Sequence, residues 1–152
     1  MKIALQTLLL LVMSVTLSAQ VDMVWDDYGL GFTLPRGLSI TENDGDTFSA
    51  ESDDLYLTIL PIADQTITED DLADAVVAMA TEMDYDDLTD ADDLKLNDLY
   101  GYYVEGTKEG AHAFVIALMD TQSSSNYLAV IVFTPERRDQ AIRLARSFYA
   151  YD

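Results

Sequence analysis

The chain has 152 residues, of which 28 are acidic and eight are basic, and it contains no cysteine. A net charge of −20 repels nucleic acid and anionic lipid, which argues against binding to either, and it attracts cations and basic partners. The absence of cysteine excludes disulfides, thiol catalysis and the lipid anchor of a bacterial lipoprotein.

The first nineteen residues predict a secretory signal peptide. Lys2 provides a positive start, an apolar run covers 8–17, and the small residues Ser18 and Ala19 follow in the order that such leaders use. We expect cleavage after Ala19. A membrane anchor is the alternative, but the apolar run is shorter than the ~20 residues that a spanning helix needs. Residues 20–152 should then form one exported domain, periplasmic or extracellular, without a membrane span.

The first part of that domain predicts strands. Apolar residues recur in short stretches that end at Pro35 and Pro61. The motif "ENDGD" (42–46) predicts a hairpin turn, because Asp-Gly between extended segments is a strong turn signal. The predicted strands are 28–34, 38–41, 47–51 and 55–60.

A change of period after residue 67 predicts a helix. Thr68 is a good N-cap, and Asp71 stands three residues later, where a capping box has its acid. Negative side chains in the first turn suit the positive end of the helix dipole. Apolar residues recur at spacings of four and three, which predicts one buried stripe; it consists of Leu72, Val76, Met79 and Met83.

Three more strands are predicted at 99–108, 111–120 and 127–133, with a turn at Glu109 and Gly110. The last two of these strands are apolar or small at nearly every position. Strands that are apolar on both faces are covered on both faces, so we expect these two to be central in the sheet.

The last segment predicts a second helix. Thr134 can cap it, and Pro135 suits the first helical position. Its expected buried stripe consists of Ala141, Ile142, Ala145, Phe148 and Tyr149. Strands, a helix, an antiparallel run of strands and a final helix together predict an α+β fold, in which an antiparallel sheet has helices packed on it.

The order of these elements resembles the PsbP-like superfamily. The resemblance is carried by "YGLGFTLPRGL" (28–38), by the helix after "LPIADQTIT" (60–68), by "LYGYYVEG" (99–106) and by "YLAVIVFTPE" (127–136) before a helix with "ARSF" (145–148). It implies an α-β-α sandwich, and an accessory or binding role more often than catalysis. It supplies no functional residue for this chain.

The densest acidic segment is 84–98, where seven of fifteen residues are aspartate. Carboxylates and backbone carbonyls are the ligands that calcium prefers. However, the spacing does not fit a calcium-binding loop, since Leu88 and Leu94 fall where the loop needs oxygen ligands. The alternative is a solvated acidic loop over 84–98 that follows the helix. The candidate cation ligands are Asp84, Asp86, Asp87, Asp90, Asp92 and Asp93.

Other candidate sites have structural explanations. His112 is the only histidine, and an imidazole without nearby ligands is expected to be half-buried in the sheet. The serines at 123–125 lack the glycine-framed turn of a hydrolase nucleophile. Tyr100, Tyr102 and Tyr103 favour an interface, or alternate between the core and the sheet surface.

These observations predict a secreted, non-catalytic binding or accessory domain, with no catalytic or cofactor-binding residue assigned. Its partner would be a basic protein or an envelope component. The alternative is a calcium-dependent module or a carboxylate-based hydrolase that uses residues 84–98, in which case Ca²⁺ would be the cofactor.

Overall fold

The structure is a computed structural model that describes residues 20–62, 68–123 and 125–151. The predicted signal peptide lies outside these residues. The elements, in chain order, are β1 (Val21–Trp25), β2 (Leu30–Leu34), β3 (Ser39–Asn43), β4 (Phe48–Glu51), β5 (Leu55–Ile62), α1 (Glu69–Glu82), β6 (Asp92–Leu96), β7 (Leu99–Lys108), β8 (Ala111–Asp120), β9 (Asn126–Phe133), a 3-10 turn (Pro135–Arg137), α2 (Arg138–Arg146) and β10 (Tyr149–Ala150).

Two antiparallel sheets make up the strand framework. The larger has the order β3-β4-β5-β9-β8-β7-β6, and the smaller has the order β1-β2-β10. The prediction that β8 and β9 are central is confirmed, because each has a strand on both sides. The turn between β7 and β8 is also where it was predicted, with Glu109 and Gly110 at positive φ, as a tight hairpin turn requires.

Helix α1 covers one face of the large sheet. Leu72, Val76 and Ala80 are fully buried there, against Val104 and Val115 of β7 and β8. Two of the four residues in the predicted stripe, Leu72 and Val76, are therefore confirmed as fully buried. The two methionines of that stripe, Met79 and Met83, are half-buried against the same cluster.

The start of α1 carries the predicted acidic cap. The Thr68 hydroxyl donates to the Asp71 carboxylate (2.9 Å), which also accepts a longer bond from the Thr68 backbone N–H (3.4 Å). The Asp71 N–H donates to the Thr68 carbonyl at 3.0 Å. These bonds fix the first turn, where the free N–H groups need partners.

The opposite face of the large sheet is covered by α2 and the three-stranded sheet together. Phe32 of β2 lies with its ring centroid 4.9 Å from that of Phe48 and 5.7 Å from that of Phe148. Ala141 and Leu144 of α2 are buried in the same cluster. Both faces are thus packed, and the α+β prediction of a sheet with helices on it is confirmed.

Several boundaries differ from the sequence-based prediction. Strands β1 and β10 were not predicted. Helix α2 ends at Arg146, so Phe148 and Tyr149 lie beyond it, and Leu144 is buried in the helix where Ile142 and Ala145 are only half-buried. For β10 and the end of α2, the reason is long-range pairing: Tyr149 pairs with Gly31 across the small sheet, which periodicity within one segment does not reveal.

Candidate functional site

The acidic segment forms an edge of the large sheet. Asp86 and Thr107 exchange two backbone hydrogen bonds of 2.8 Å, and the Thr89 N–H donates to the Glu105 carbonyl at 2.9 Å. The Thr89 hydroxyl in turn accepts from the Glu105 N–H, also at 2.9 Å. Strand β6 then continues the pairing with β7. The expectation of a loop over the whole of 84–98 is therefore wrong for Asp92–Leu96.

Two apolar side chains that lie between the aspartates in the sequence anchor this segment to the core. They are Tyr85 and Leu88, which pack against the hydrophobic cluster under α1. They approach Gly106 so closely that a Cβ there would lie within 2.9 Å of each. Asp84 and Asp87 take positive φ values of 62° and 51°, a conformation that aspartate tolerates better than most residues do. The apolar anchors turn the acidic side chains outward.

All six predicted cation ligands are exposed. The Asp87 carboxylate accepts from the Thr107 hydroxyl at 3.4 Å, and that of Asp92 accepts from the Asp93 N–H at 3.0 Å. In the part of the chain that the structure describes, no three His, Cys, Asp or Glu residues are grouped so as to hold a metal ion. The specific calcium site stays a prediction. Charged side chains on a sheet edge also prevent pairing with another chain, which is a sufficient structural role for them.

A groove of about 340 Å³ lies beside this edge, between β6–β8 and α2. It exists because α2 is short. Nine residues of helix extend about 14 Å, whereas seven strands measure about 29 Å across. The small sheet covers the part of the face near β4, and the part near β6 stays open.

The floor of the groove is apolar, and much of it is aromatic. The rings of Tyr103 and Phe114 meet edge to face with centroids 6.2 Å apart, and Phe114 lies 4.8 Å from Phe133. Phe114 is 5% exposed, so it belongs to the core while also lining the groove. The apolar lining consists of Leu94, Tyr103, Phe114, Ile116, Ile142 and Ala145.

An ion-paired cluster closes one end of the groove. Arg138 donates two hydrogen bonds to the Glu105 carboxylate, at 2.6 and 3.1 Å. Its guanidinium also lies over the rings of Phe114 and Phe133, at 5.7 and 5.8 Å. The bonds from Arg138 hold the pKa of Glu105 below its ordinary value and raise the pKa of Arg138.

His112 belongs to the same cluster. Its ring stacks on Phe133 with centroids 5.7 Å apart, and its Nδ1 is 3.5 Å from Oε2 of Glu105, an electrostatic contact that is too long for a good hydrogen bond. The imidazole side chain is 31% exposed, so the prediction of a half-buried histidine is confirmed. Glu105 is already engaged by Arg138, and that engagement leaves it poorly suited to act as a general base.

The rim of the groove on the β6 side is acidic. Asp90 and Asp92 stand there, and Arg146 stands on the α2 side. Neither carboxylate forms an ion pair within the part of the chain that the structure describes. An apolar floor beside two such carboxylates suits a ligand that carries a positive charge next to an apolar side chain. Of the six predicted cation ligands, the structure therefore brings only these two to the groove.

Sequence reasoning missed most of this site. Glu105, Phe114 and Arg138 come from three elements, and none of them lies in a motif. One signal was present: Glu105 is the only charged residue in "LYGYYVEG", and it pairs in register with the buried Phe114. A charge within an otherwise apolar strand needs a partner, but the sequence does not show which one.

The three tyrosines of β7 divide between the faces of the sheet. Tyr103 faces the groove side, while Tyr100 and Tyr102 pack on the α1 side. There the Tyr100 hydroxyl donates to that of Tyr102 at 3.1 Å. This bond raises the pKa of Tyr100 to about 12. The strand therefore alternates between the two layers and does not present one continuous aromatic surface.

The fold matches known structures more closely than the sequence matches known families. The Saccharomyces cerevisiae Ran-binding protein Mog1p aligns with a TM-score of 0.60 at 11% identity, over 89% of this chain and 97% of that one. A Mog1 point mutant aligns with a TM-score of 0.59, also at 11% identity, over 88% and 97%. This chain has the same fold as Mog1p. No family model and no curated protein matches its sequence.

At this level of identity, the likeness to Mog1p describes the architecture alone. That architecture is the predicted α+β fold, an antiparallel sheet with helices packed on it. Neither α1 nor α2 has the length and apolar character that a bilayer crossing requires, and these are the α-helices of the described residues.

Proposed function

We propose that this protein is a non-catalytic binding domain, exported from the cell, that takes up a basic, partly apolar segment of a partner protein. The groove between β6 and α2 carries the proposal: it joins an apolar floor to a rim that bears Asp90 and Asp92. The binding role of a protein with the same fold, the Ran-binding protein Mog1p, supports the class of function but not the partner. The leader-like residues 1–19 support export.

Charge and shape select the occupant. Residues 22–109 contain 24 acids and three bases, so the potential around β6 attracts a basic chain and speeds its approach. The floor can receive one or two apolar side chains, which supply the contact area that charge alone lacks. An envelope protein or peptide with alternating basic and apolar residues has this chemistry.

The test is fluorescence anisotropy at low salt, with an extended peptide of alternating lysine and leucine and a matched peptide of glutamate and leucine. The protein is expressed with its own leader and purified after export. We expect saturable binding of the lysine peptide alone. The double variant Asp90→Asn/Asp92→Asn should weaken binding of the lysine peptide roughly tenfold, because it removes two negative charges from the rim.

The matched control is Asp26→Asn/Asp53→Asn, which removes two exposed carboxylates that do not line the groove. It should change the affinity less than twofold. Equal weakening by both pairs would reduce the interaction to attraction by the overall charge, and absence of saturable binding would refute the proposal.

A further inference from the structure

A second concavity, on the other side of α2, has the opposite charge. This cleft of about 420 Å³ lies between α2 and the N-terminal part of the small sheet. Its polar lining consists of Gln20, Thr33, Arg36, Gln140, Arg143 and Arg146. Three of the eight basic residues of the chain meet there, and among the described residues no Asp or Glu lines the cleft. From this geometry we infer an anion-binding site for a phosphate group.

The two arginines of α2 are available for a ligand. Among the described residues, neither Arg143 nor Arg146 has a carboxylate within 4.0 Å, and both are exposed. Asp139 and Arg143 lie four residues apart on the helix, a spacing at which ion pairs can form, but these two side chains form none within 4.0 Å. Arginine presents a planar fork of donors that matches phosphate oxygens, and a third guanidinium, that of Arg36, lines the same cleft.

A buried amide adds to this polar character. Oε1 of Gln140 is buried without a hydrogen-bond partner in the described part of the chain. Gln140 is also one of the residues that line the cleft, and its NH₂ group is a hydrogen-bond donor. The amide therefore adds a neutral donor to the lining beside the arginines.

The other polar groups are already committed. Ser147 Oγ donates to the Leu144 carbonyl at 2.7 Å and accepts from the Thr33 N–H at 2.9 Å. The Thr33 hydroxyl donates to Asp22 at 3.1 Å. Asp22 is thus a carboxylate in contact with the cleft lining, and its charge opposes a bound anion. Replacing Asp22 should therefore strengthen anion binding, whereas replacing Arg143 and Arg146 should weaken it.

A structural role for the arginines is the competing explanation. Positive side chains in the last turn of a helix interact favourably with the negative end of its dipole, and Arg143 and Arg146 occupy the last turn of α2. That role needs no ligand and predicts no saturable response to phosphate. The two explanations therefore differ in a direct measurement.

The experiment titrates inorganic phosphate into the exported protein and follows backbone amide signals by NMR, with sodium chloride at matched ionic strength and constant pH as the reference. We expect saturable shifts confined to residues 33–36 and 140–147. The double variant Arg143→Gln/Arg146→Gln should weaken phosphate binding roughly tenfold or more, because two charge-assisted donors are lost. Asp22→Asn should strengthen it.

The charge-matched control is Lys95→Gln/Lys108→Gln, which removes two cations on β6 and β7, outside the cleft. It should leave the phosphate affinity within twofold. Co-sedimentation with phosphatidylcholine vesicles, with and without phosphatidic acid, distinguishes the two sources of the phosphate group. Binding only to the vesicles that contain phosphatidic acid assigns the site to a lipid headgroup. Absence of binding to either vesicle assigns it to a soluble phosphate compound. Identical shifts with phosphate and chloride, or equal losses in both double variants, would overturn the proposal.

Discussion

The two sides of helix α2 present opposite chemistry over a distance of one helix diameter. On one side, the groove has an apolar floor and an acidic rim on β6. On the other side, the cleft is lined by arginines, and no carboxylate of residues 20–62, 68–123 and 125–151 lines it. Arg146 reaches both. A net charge of −20 would suggest a uniformly negative surface, but the distribution of charge over the fold produces two distinct binding environments.

The difference arises from where each half of the chain lies. Residues 22–109 carry a net charge of −21 and residues 110–152 carry none. The groove takes its rim from β6 in the acidic half, and both concavities take arginines from α2 in the neutral half. A short helix between two sheets therefore joins regions of different charge, and function classes that the overall charge disfavours become possible locally.

The largest expected effect tests whether the groove floor is also core. Phe114→Ala should destabilise the protein by about 3 kcal/mol, because it removes a buried ring and leaves a cavity beside Phe133. Chemical denaturation measures this change. Ile40→Ala, at a position 47% exposed on the edge strand β3, should change stability by less than about 0.5 kcal/mol.

The same variant tests whether the two sites are separate. Phe114→Ala should weaken binding of the lysine–leucine peptide, because the apolar side chains of the peptide lose a contact on the groove floor. It should leave the phosphate affinity at the cleft unchanged. If the phosphate affinity falls as much as the peptide affinity, the groove and the cleft are not independent sites.

A smaller effect concerns the ion pair at the end of the groove. Glu105→Gln should lower the free energy of unfolding by about 1 kcal/mol at neutral pH, because the hydrogen bonds from Arg138 lose their charged acceptor. The exposure of Arg138 limits this loss. The matched control is Glu51→Gln, an exposed strand residue. It should show no such loss.

The pH dependence of that difference has a defined sign. The folded-state pKa of Glu105 lies below its unfolded value, which is about 4.3. The stabilisation is therefore complete above the unfolded pKa and is lost as the pH falls through the folded pKa. Stability of the wild type and of Glu105→Gln, measured from pH 7 down to strong acid, should converge at the acidic end. A gap that persists there would show that the carboxylate charge is not the cause.

The smallest expected effect concerns the acidic edge. Asp86→Asn/Asp90→Asn/Asp92→Asn should raise the melting temperature slightly at low salt, because repulsion is relieved, and the gain should vanish at high salt. Asp26→Asn/Asp53→Asn/Asp74→Asn removes equal charge from exposed positions elsewhere. A larger gain in the first variant would show that repulsion is concentrated along the edge.

The predicted calcium site at this edge can be tested by thermal unfolding. Thermal unfolding in millimolar CaCl₂ is compared with MgCl₂ and with NaCl at matched ionic strength. Screening alone gives equal small rises in every salt. A large rise specific to calcium, abolished in the Asp86, Asp90 and Asp92 variant, would mean that the carboxylates form an ordered site, because a ligand stabilises the state that it binds.

Much of the fold followed from local patterns. Strands β7 and β8 were predicted with the bounds that the structure shows, since alternation and a Glu-Gly turn define a hairpin locally. Helix α1 followed from its cap and its apolar stripe. The misses were β1, β6, β10 and the end of α2. At the end of the chain, Tyr149 and Ala150 pair with residues more than a hundred positions away, and this tertiary pairing overrode the helical pattern.

The sequence by itself determined the charge, the hairpin turns, the position of α1 and the burial of β8 and β9, because each depends on neighbouring residues. It also placed seven aspartates in one segment. Only the tertiary structure decided that Tyr85 and Leu88 turn these aspartates outward, that Glu105 meets Arg138, and that arginines meet on the far side of α2. Those contacts join elements that are distant in the chain, and their geometry depends on how sheets and helices pack.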